Sequence, residues 1–284
     1  MLRSGPEALA AAAPLDEDAA WAALRALAEG SPPPDRLTVD ACGRWTCAGD
    51  ATTAAGDLLD LYAAFVAERG DGRPSVFAHL GQSLDGRIAT ESGESAYITC
   101  PANLDHMHRM RALADAVVVG AGTVRHDNPR LTVRRVPGAH PLRVVIDTER
   151  RLDDHYGLFR DGAAPTLLVC AADRRDRAHL GEAEVAAVGR RGETIDYGAV
   201  IALLSARGCR RIFVEGGGIT VSRFLAQNCL DRLHVAVAPV ILGSGRPAIQ
   251  LPPLAALAEA RRPPTRIFRM GADVLFDCDL GADG

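Results

Sequence analysis

From residue 75 onward, short apolar runs alternate with longer stretches whose apolar residues recur three and four apart. The runs at 76–80, 116–119, 142–146, 166–170 and 211–214 predict strands. The stretches at 101–112, 175–188 and 199–207, and one ending near 228, predict helices. Near-continuous apolar strands between helices predict a largely parallel sheet covered on both faces. Two later strands, 233–240 and 272–276, have little helix between them and read as antiparallel additions at one edge.

The first 74 residues follow a different pattern. A helix is predicted at 16–28, with acidic residues at its start, Trp21, Leu24 and Ala28 on one face, and Gly30 as its stop before Pro32, Pro33 and Pro34. A short hairpin at 37–39 and 44–46 turns at Gly43. A second helix at 57–69 carries Leu58, Leu59, Tyr62, Phe65 and Val66 on one face. Gly72, Arg73 and Pro74 read as a linker, so the expected division is an N-terminal extension, 1–74, and a main domain, 75–284. Trp21 and Tyr62 are the expected buried anchors of the extension, which caps the main domain or a partner subunit.

Composition narrows the function classes. Apolar content of 48% and charged content of 24% are ordinary for a globular enzyme, and a net charge of −4 argues against nucleic acid as the main partner. No uncharged apolar run approaches the roughly 20 residues of a membrane span. The alanine-rich N-terminus reads as a frayed leader rather than a signal peptide, so the expected location is cytoplasmic. Seven scattered cysteines form no CxxC, which points to a reduced compartment and to neither a disulfide framework nor a metal site. No zinc-deaminase, GxSxG, HExxH or P-loop pattern is present.

Three segments have the makings of a ligand site. In IFVEGGGITVSRFL, 212–225, a strand ends in three glycines and a helix begins at once. Such a turn admits a pyrophosphate close to the backbone and offers it helix-start amides, although a glycine turn for tight packing has the same look. GAGTVRHDNPRLTVR, 120–134, is a turn-rich loop after a strand, carrying Arg125, Arg130 and Arg134; a solvated basic loop is the alternative. SLDGRIATESGESAYIT, 83–99, supplies two turns rich in hydroxyls. The helix after it places Leu104, Met107, His108 and Arg111 on one inward face, and a buried arginine needs either a carboxylate or a ligand phosphate. His79, His106, His108 and His126 lack metal-ligand spacing and read mostly as surface or loop histidines.

SLDGRIA at 83–89, SGES at 92–95, GTVRHDNPRLTVR at 122–134, VVID at 144–147, EGGG at 215–218 and APVILG at 238–243 stand in one order. Together they resemble the reductase domain of the bifunctional riboflavin-biosynthesis deaminase/reductase and its stand-alone relatives, over about 75–279. The resemblance implies a dihydrofolate-reductase-like α/β/α fold, a homodimer, and NADPH-dependent reduction of 5-amino-6-(5-phosphoribosylamino)uracil or a close analogue. It implies cofactor contacts at Gly81, Tyr97, Thr123, Asp127, Thr148 and 217–223, which includes Gly217, Gly218, Ile219 and Thr220. Substrate contacts are implied at Ser95, Arg111, Leu131, Arg134 and Glu215. Glu215 is the candidate for stabilising a developing iminium, and Arg150 or Arg151 for meeting the cofactor 2′-phosphate. Tyr97 stands where relatives often have tryptophan, Asn128 replaces a frequent aspartate, and His79 occupies a position where bacterial bifunctional enzymes carry a lysine, making it the second candidate catalytic group. Two competing expectations are a reductase of pterins or other pyrimidines on the same scaffold, and a non-catalytic NADPH-binding module.

Overall fold

The computed structural model describes residues 13–34, 36–95 and 98–281, so the leader up to residue 12 and Tyr97 lie outside the described residues. The chain divides into two compact units, Met1–Gly70 and Asp71–Gly284. In the first, α1 (Glu17–Ala28), β1 (Leu37–Val39), β2 (Trp45–Cys47) and α2 (Thr53–Val66) follow one another. Asp16 and Thr52 cap the two helices by accepting from the Ala19 and Ala55 amides. Trp21 and Tyr62 pack edge to face, with ring centroids 6.2 Å apart. The Trp45 indole donates to Asp60 at 2.6 Å, which ties the hairpin to α2.

The second unit opens with β3 (Ser75–Ser83), β4 (Arg87–Ala89), α3 (Pro101–Leu113), β5 (Ala116–Gly120), α4 (Ala121–Asp127), β6 (Leu142–Ile146) and β7 (Thr166–Ala171). It continues with β8 (His179–Leu180), β9 (Ala183–Val188), β10 (Arg190–Arg191), β11 (Thr194–Ile195), α5 (Tyr197–Ala206), β12 (Arg211–Glu215), α6 (Gly218–Ala226), β13 (Arg232–Ala238), β14 (Arg246–Pro247), β15 (Thr265–Met270) and β16 (Asp273–Asp279). Ten strands form one sheet in the order β15-β16-β13-β3-β12-β5-β6-β7-β9-β8. The seven strands from β13 to β9 run parallel, while β16 joins β13, and β15 joins β16, antiparallel. The mostly parallel α/β sheet with antiparallel C-terminal strands is therefore as expected. Every residue of β5 and β7 is buried, as strands covered on both faces must be.

The helix expected at 175–188 is instead the hairpin β8–β9. Leu180 pairs with Ala183 across a two-residue turn, and Gly181 takes a φ of 56° there. A side chain at Gly181 would strike the Phe159 carbonyl, so neither the turn nor its packing admits another residue. Within 120–134, the part read as a loop begins with α4, which Asn128 ends in a left-handed conformation. Strand β15 escaped the reading because its side chains are mostly exposed and lack a core-facing stripe.

Arg143, in β6, is a buried cation that the apolar run concealed. Its guanidinium donates to Thr166 at 2.9 Å, to both oxygens of Asp161, and to the Leu158 and Ala164 carbonyls at 3.0 and 2.8 Å. This set pins the 157–166 connection beneath the sheet. Arg143→Ala is expected to destabilise the fold by about 3 kcal/mol, because it strips several buried acceptors of their donor. Urea unfolding of the variant measures this, and an unchanged midpoint would contradict the assignment.

Candidate active site

The carboxyl ends of β3, β5, β6 and β12 border a cleft of about 780 Å³, the usual place for a ligand on an open parallel sheet. One side is built from glycines. Gly120 ends β5 against Thr220, and Gly218 starts α6 against the Ala248 carbonyl, with no room for a side chain at either. Gly217 takes a φ of 74°, and no side chain caps the first turn of α6. That turn therefore presents backbone amides and the positive end of the helix to the cleft. Thr148, just past β6, has a buried hydroxyl with no hydrogen-bond partner among the described residues.

Gly81, Thr123, Asp127, Thr148, Gly217, Gly218, Ile219, Thr220 and Arg223 all line this cleft, as do Ser95 and His79. Arg151 lines it as well, whereas Arg150 turns away, its side chain 6% exposed and paired with Asp176 at 3.2 Å. Arg246 also borders the cleft, a cation that sequence reading missed although it follows the APVILG run closely.

Arg111, Leu131, Arg134 and Glu215 do not line the cleft; they cluster behind it. Arg111 donates through Nε to Glu215 at 2.6 Å and through Nη2 to the other carboxylate oxygen, while Nη1 reaches the Thr132 carbonyl at 3.2 Å. The side chains are 10% and 12% exposed. The choice left open for Arg111 thus falls to a carboxylate. Burial disfavours its charge, but Glu215 outweighs burial and leaves the guanidinium pKa raised. Arg134 donates to the Thr132 hydroxyl at 2.6 Å and pairs with no carboxylate among the described residues. Burial and the nearby Arg111 and Arg130 lower its pKa. Leu131 is buried with a φ of 53°, an uncommon conformation for such a residue.

The inward face of α3 is also shifted from the expected one. Asn103, His106, Met110 and Arg111 are buried, and Leu104 is instead partly exposed at the cleft. The histidines need correction too: His79, His106 and His108 are buried, and only His126 of the four is exposed. The cause is that α3 lies over the central strands, where even polar residues lose contact with water.

In β12, β3, β13 and β16 the residues Glu215, His79, His234 and Asp277 stand opposite one another in register. Opposed residues share a sheet face, so one polar row crosses four strands. Burial, reinforced by His234, lowers the His79 pKa to about 3, so its ring is neutral near pH 7. Neither of its ring nitrogens has a hydrogen-bond partner among the described residues.

A model of the RibD C-terminal domain matches residues 74–276. The chain is 36% identical over 183 residues to the 2,5-diamino-6-ribosylamino-4(3H)-pyrimidinone 5′-phosphate reductase of Archaeoglobus fulgidus, covering 60% of this chain and 83% of that protein. It is 35% identical over 176 residues to the riboflavin biosynthesis protein RibD of Bacillus amyloliquefaciens, covering 61% of this chain and 47% of that protein. It therefore spans about half the length of that longer relative. In structure it resembles the diaminohydroxyphosphoribosylaminopyrimidine deaminase/5-amino-6-(5-phosphoribosylamino)uracil reductase of Thermotoga maritima. The TM-score is 0.64 at 24% identity, covering 79% of this chain and 61% of that one.

The buried histidines set an acid limit on stability. His79 titrates near 3 and His108 near 4 when folded, against 6.5 ordinarily, and burial also drives His106 well down. Below pH 6.5 the unfolded chain therefore binds more protons than the folded one, and stability falls as pH drops toward 4. Each such group contributes about 1.4 kcal/mol per pH unit at most. His79→Asn should flatten that slope in denaturation measured from pH 7 to 4; a slope identical to wild type would refute the buried neutral ring.

Proposed function

The chain belongs to the RibD C-terminal domain family, and on that premise we propose that it is an NADPH-dependent reductase of a 6-ribosylaminopyrimidine 5′-phosphate in riboflavin biosynthesis. The observation that carries this reading is a single cleft uniting the uncapped start of α6, the unpartnered Thr148 hydroxyl and the His79 ring. The first two suit a dinucleotide: helix-start amides for its pyrophosphate and a lone buried hydroxyl for one of its polar groups. Arg151 and Arg223 add positive charge on the same cleft, and Arg151 is the residue we assign to the 2′-phosphate. When bound, the cofactor supplies hydride to C1′ of the opened ribosylamine.

The protein's own contribution is placement and charge. Ser95 meets the substrate phosphate on the cleft, and Arg134, behind the cleft and paired with no carboxylate among the described residues, adds positive charge toward it. Glu215, clamped through both oxygens by Arg111 behind the cleft, fixes a carboxylate next to His79 in the sheet, on the side where the carbon–nitrogen centre becomes iminium-like. His79, neutral on the cleft floor, donates a hydrogen bond to the substrate nitrogen that gains a proton. The remaining parts of the reading are a homodimer, a cytoplasmic location and an accessory role for the N-terminal unit.

NADPH oxidation would be followed with 5-amino-6-(5-phosphoribosylamino)uracil, with its 2,5-diamino pyrimidinone counterpart, and with dihydrofolate. Turnover of either phosphorylated ribosylamine but not dihydrofolate is expected; dihydrofolate turnover alone would reassign the substrate to the pterin class. Arg134→Ala should raise the substrate KM roughly tenfold to a hundredfold, the worth of a charge-assisted hydrogen bond, and leave the NADPH KM near wild type. Arg151→Ala should bring the NADPH and NADH KM values together. An unchanged NADPH preference would remove it from the 2′-phosphate.

A further inference from the structure

The polar row does not stop at His79. His234, opposite it in β13, places Nδ1 3.2 Å from Nε2 of His106, which reaches down from α3. On its other side, Nε2 of His234 lies 3.4 Å from the Asp277 carboxylate, within ion-pair reach but without hydrogen-bond geometry. The His106 ring meets His79 edge to face with centroids 5.1 Å apart, and meets His234 at 5.2 Å. Asp277 is anchored in turn by Arg232 at 2.6 Å and by Arg266 at 2.8 Å. All four members are buried, and only His79 borders the cleft.

We propose that Asp277, His234 and His106 form a buried chain of positioning residues that fixes the orientation of the His79 ring on the cleft floor. This rests on the functional reading above and adds three residues that touch neither substrate nor cofactor. Two imidazole nitrogens 3.2 Å apart can share only one proton between them. The Asp277 carboxylate favours a proton on Nε2 of His234, which leaves Nδ1 as an acceptor. His106 must then carry its proton on Nε2, which leaves its Nδ1 unprotonated. A carboxylate thus dictates a tautomer two rings away, the logic by which a buried aspartate orients a catalytic histidine. Buried polar groups are costly unless they are paired, and this row pairs its charges at both ends.

The charges around the chain agree with it. Burial raises the Asp277 pKa, but His234, Arg232 and Arg266 outweigh burial and bring it to about 2, so the carboxylate stays ionised. Burial, together with His79, His234 and Arg109, holds His106 neutral. Around His79 stand Glu215 on β12, His234 on β13 and, from α3, His106 and Asn103. Asn103 donates to Thr99 at 3.0 Å, and its own carbonyl oxygen lacks a partner among the described residues.

The test uses the full chain labelled with ¹⁵N-histidine, with tautomers read from long-range ¹H–¹⁵N spectra, alongside steady-state kinetics. In wild type, His234 and His106 should each show a single tautomer protonated at Nε2. Asp277→Asn should turn these into mixtures, shift the His79 nitrogens, lower kcat about tenfold to a hundredfold and leave both KM values within about twofold; Asp277→Glu should restore part of the loss. His106→Phe, which breaks the chain while keeping Asp277 paired with its arginines, should shift His79 and lower kcat to the same extent. Unshifted His79 signals with wild-type kcat in either folded variant would overturn the proposal. Because the spectra need no turnover, a wild-type enzyme inactive on ribosylamines would sink the functional reading while the tautomer result still decides this one.

Discussion

In register, β12, β3, β13 and β16 carry Glu215, His79, His234 and Asp277 side by side on one sheet face. The constraint behind this is geometric: slipping any of these strands by one residue would send every one of its side chains to the opposite face. Register therefore does more than pair backbones here. It lines up an acid, two imidazoles and a second acid beneath α3, and it puts one of them on the floor of the cleft. The ion pair of Glu215 with Arg111 and that of Asp277 with Arg232 and Arg266 hold the two ends of the row. Each buried charge has its counter-charge, and the two imidazoles of the row lie between them.

The same face explains why Arg111 and Arg134 diverge in role though they look alike in sequence. Arg111 comes from α3, the roof of the row, and is fully committed to Glu215 and the Thr132 carbonyl. Arg134 comes from the connection after α4, leans on the Thr132 hydroxyl, and keeps its charge available. A guanidinium that is already neutralised adds rigidity, whereas one without a counter-ion adds attraction for an anion.

Much of this was legible in the sequence. Blocks of apolar residues marked β5, β6, β7 and β12, and the glycines at 216–218 marked the start of α6, because both signals are local. The cofactor-type positions also came together on one cleft, since motif segments at strand ends converge in any parallel sheet. What sequence could not supply was partnership across strands. Nothing near His79 in the chain announces His234 or Asp277, which lie more than a hundred residues away. Likewise the hairpin at 179–188 was hidden because its alanines and glutamates suit a helix, whereas the turn at Gly181 forbids one.

The glycine-built side of the cleft has almost no loop in it. Strand β5 ends at Gly120 and α4 begins at Ala121, while only Gly216 and Gly217 separate β12 from α6. These junctions belong to buried strands whose backbones are held on both sides by neighbours. A ligand arriving there has little chain left to freeze, so little of its contact energy is lost to ordering the protein. The connection from α4 to β6, 128–141, is far longer. The glycine half of the cleft thus behaves as a ready mould, and on the proposed reading a dinucleotide would be met there by a protein already in its binding shape.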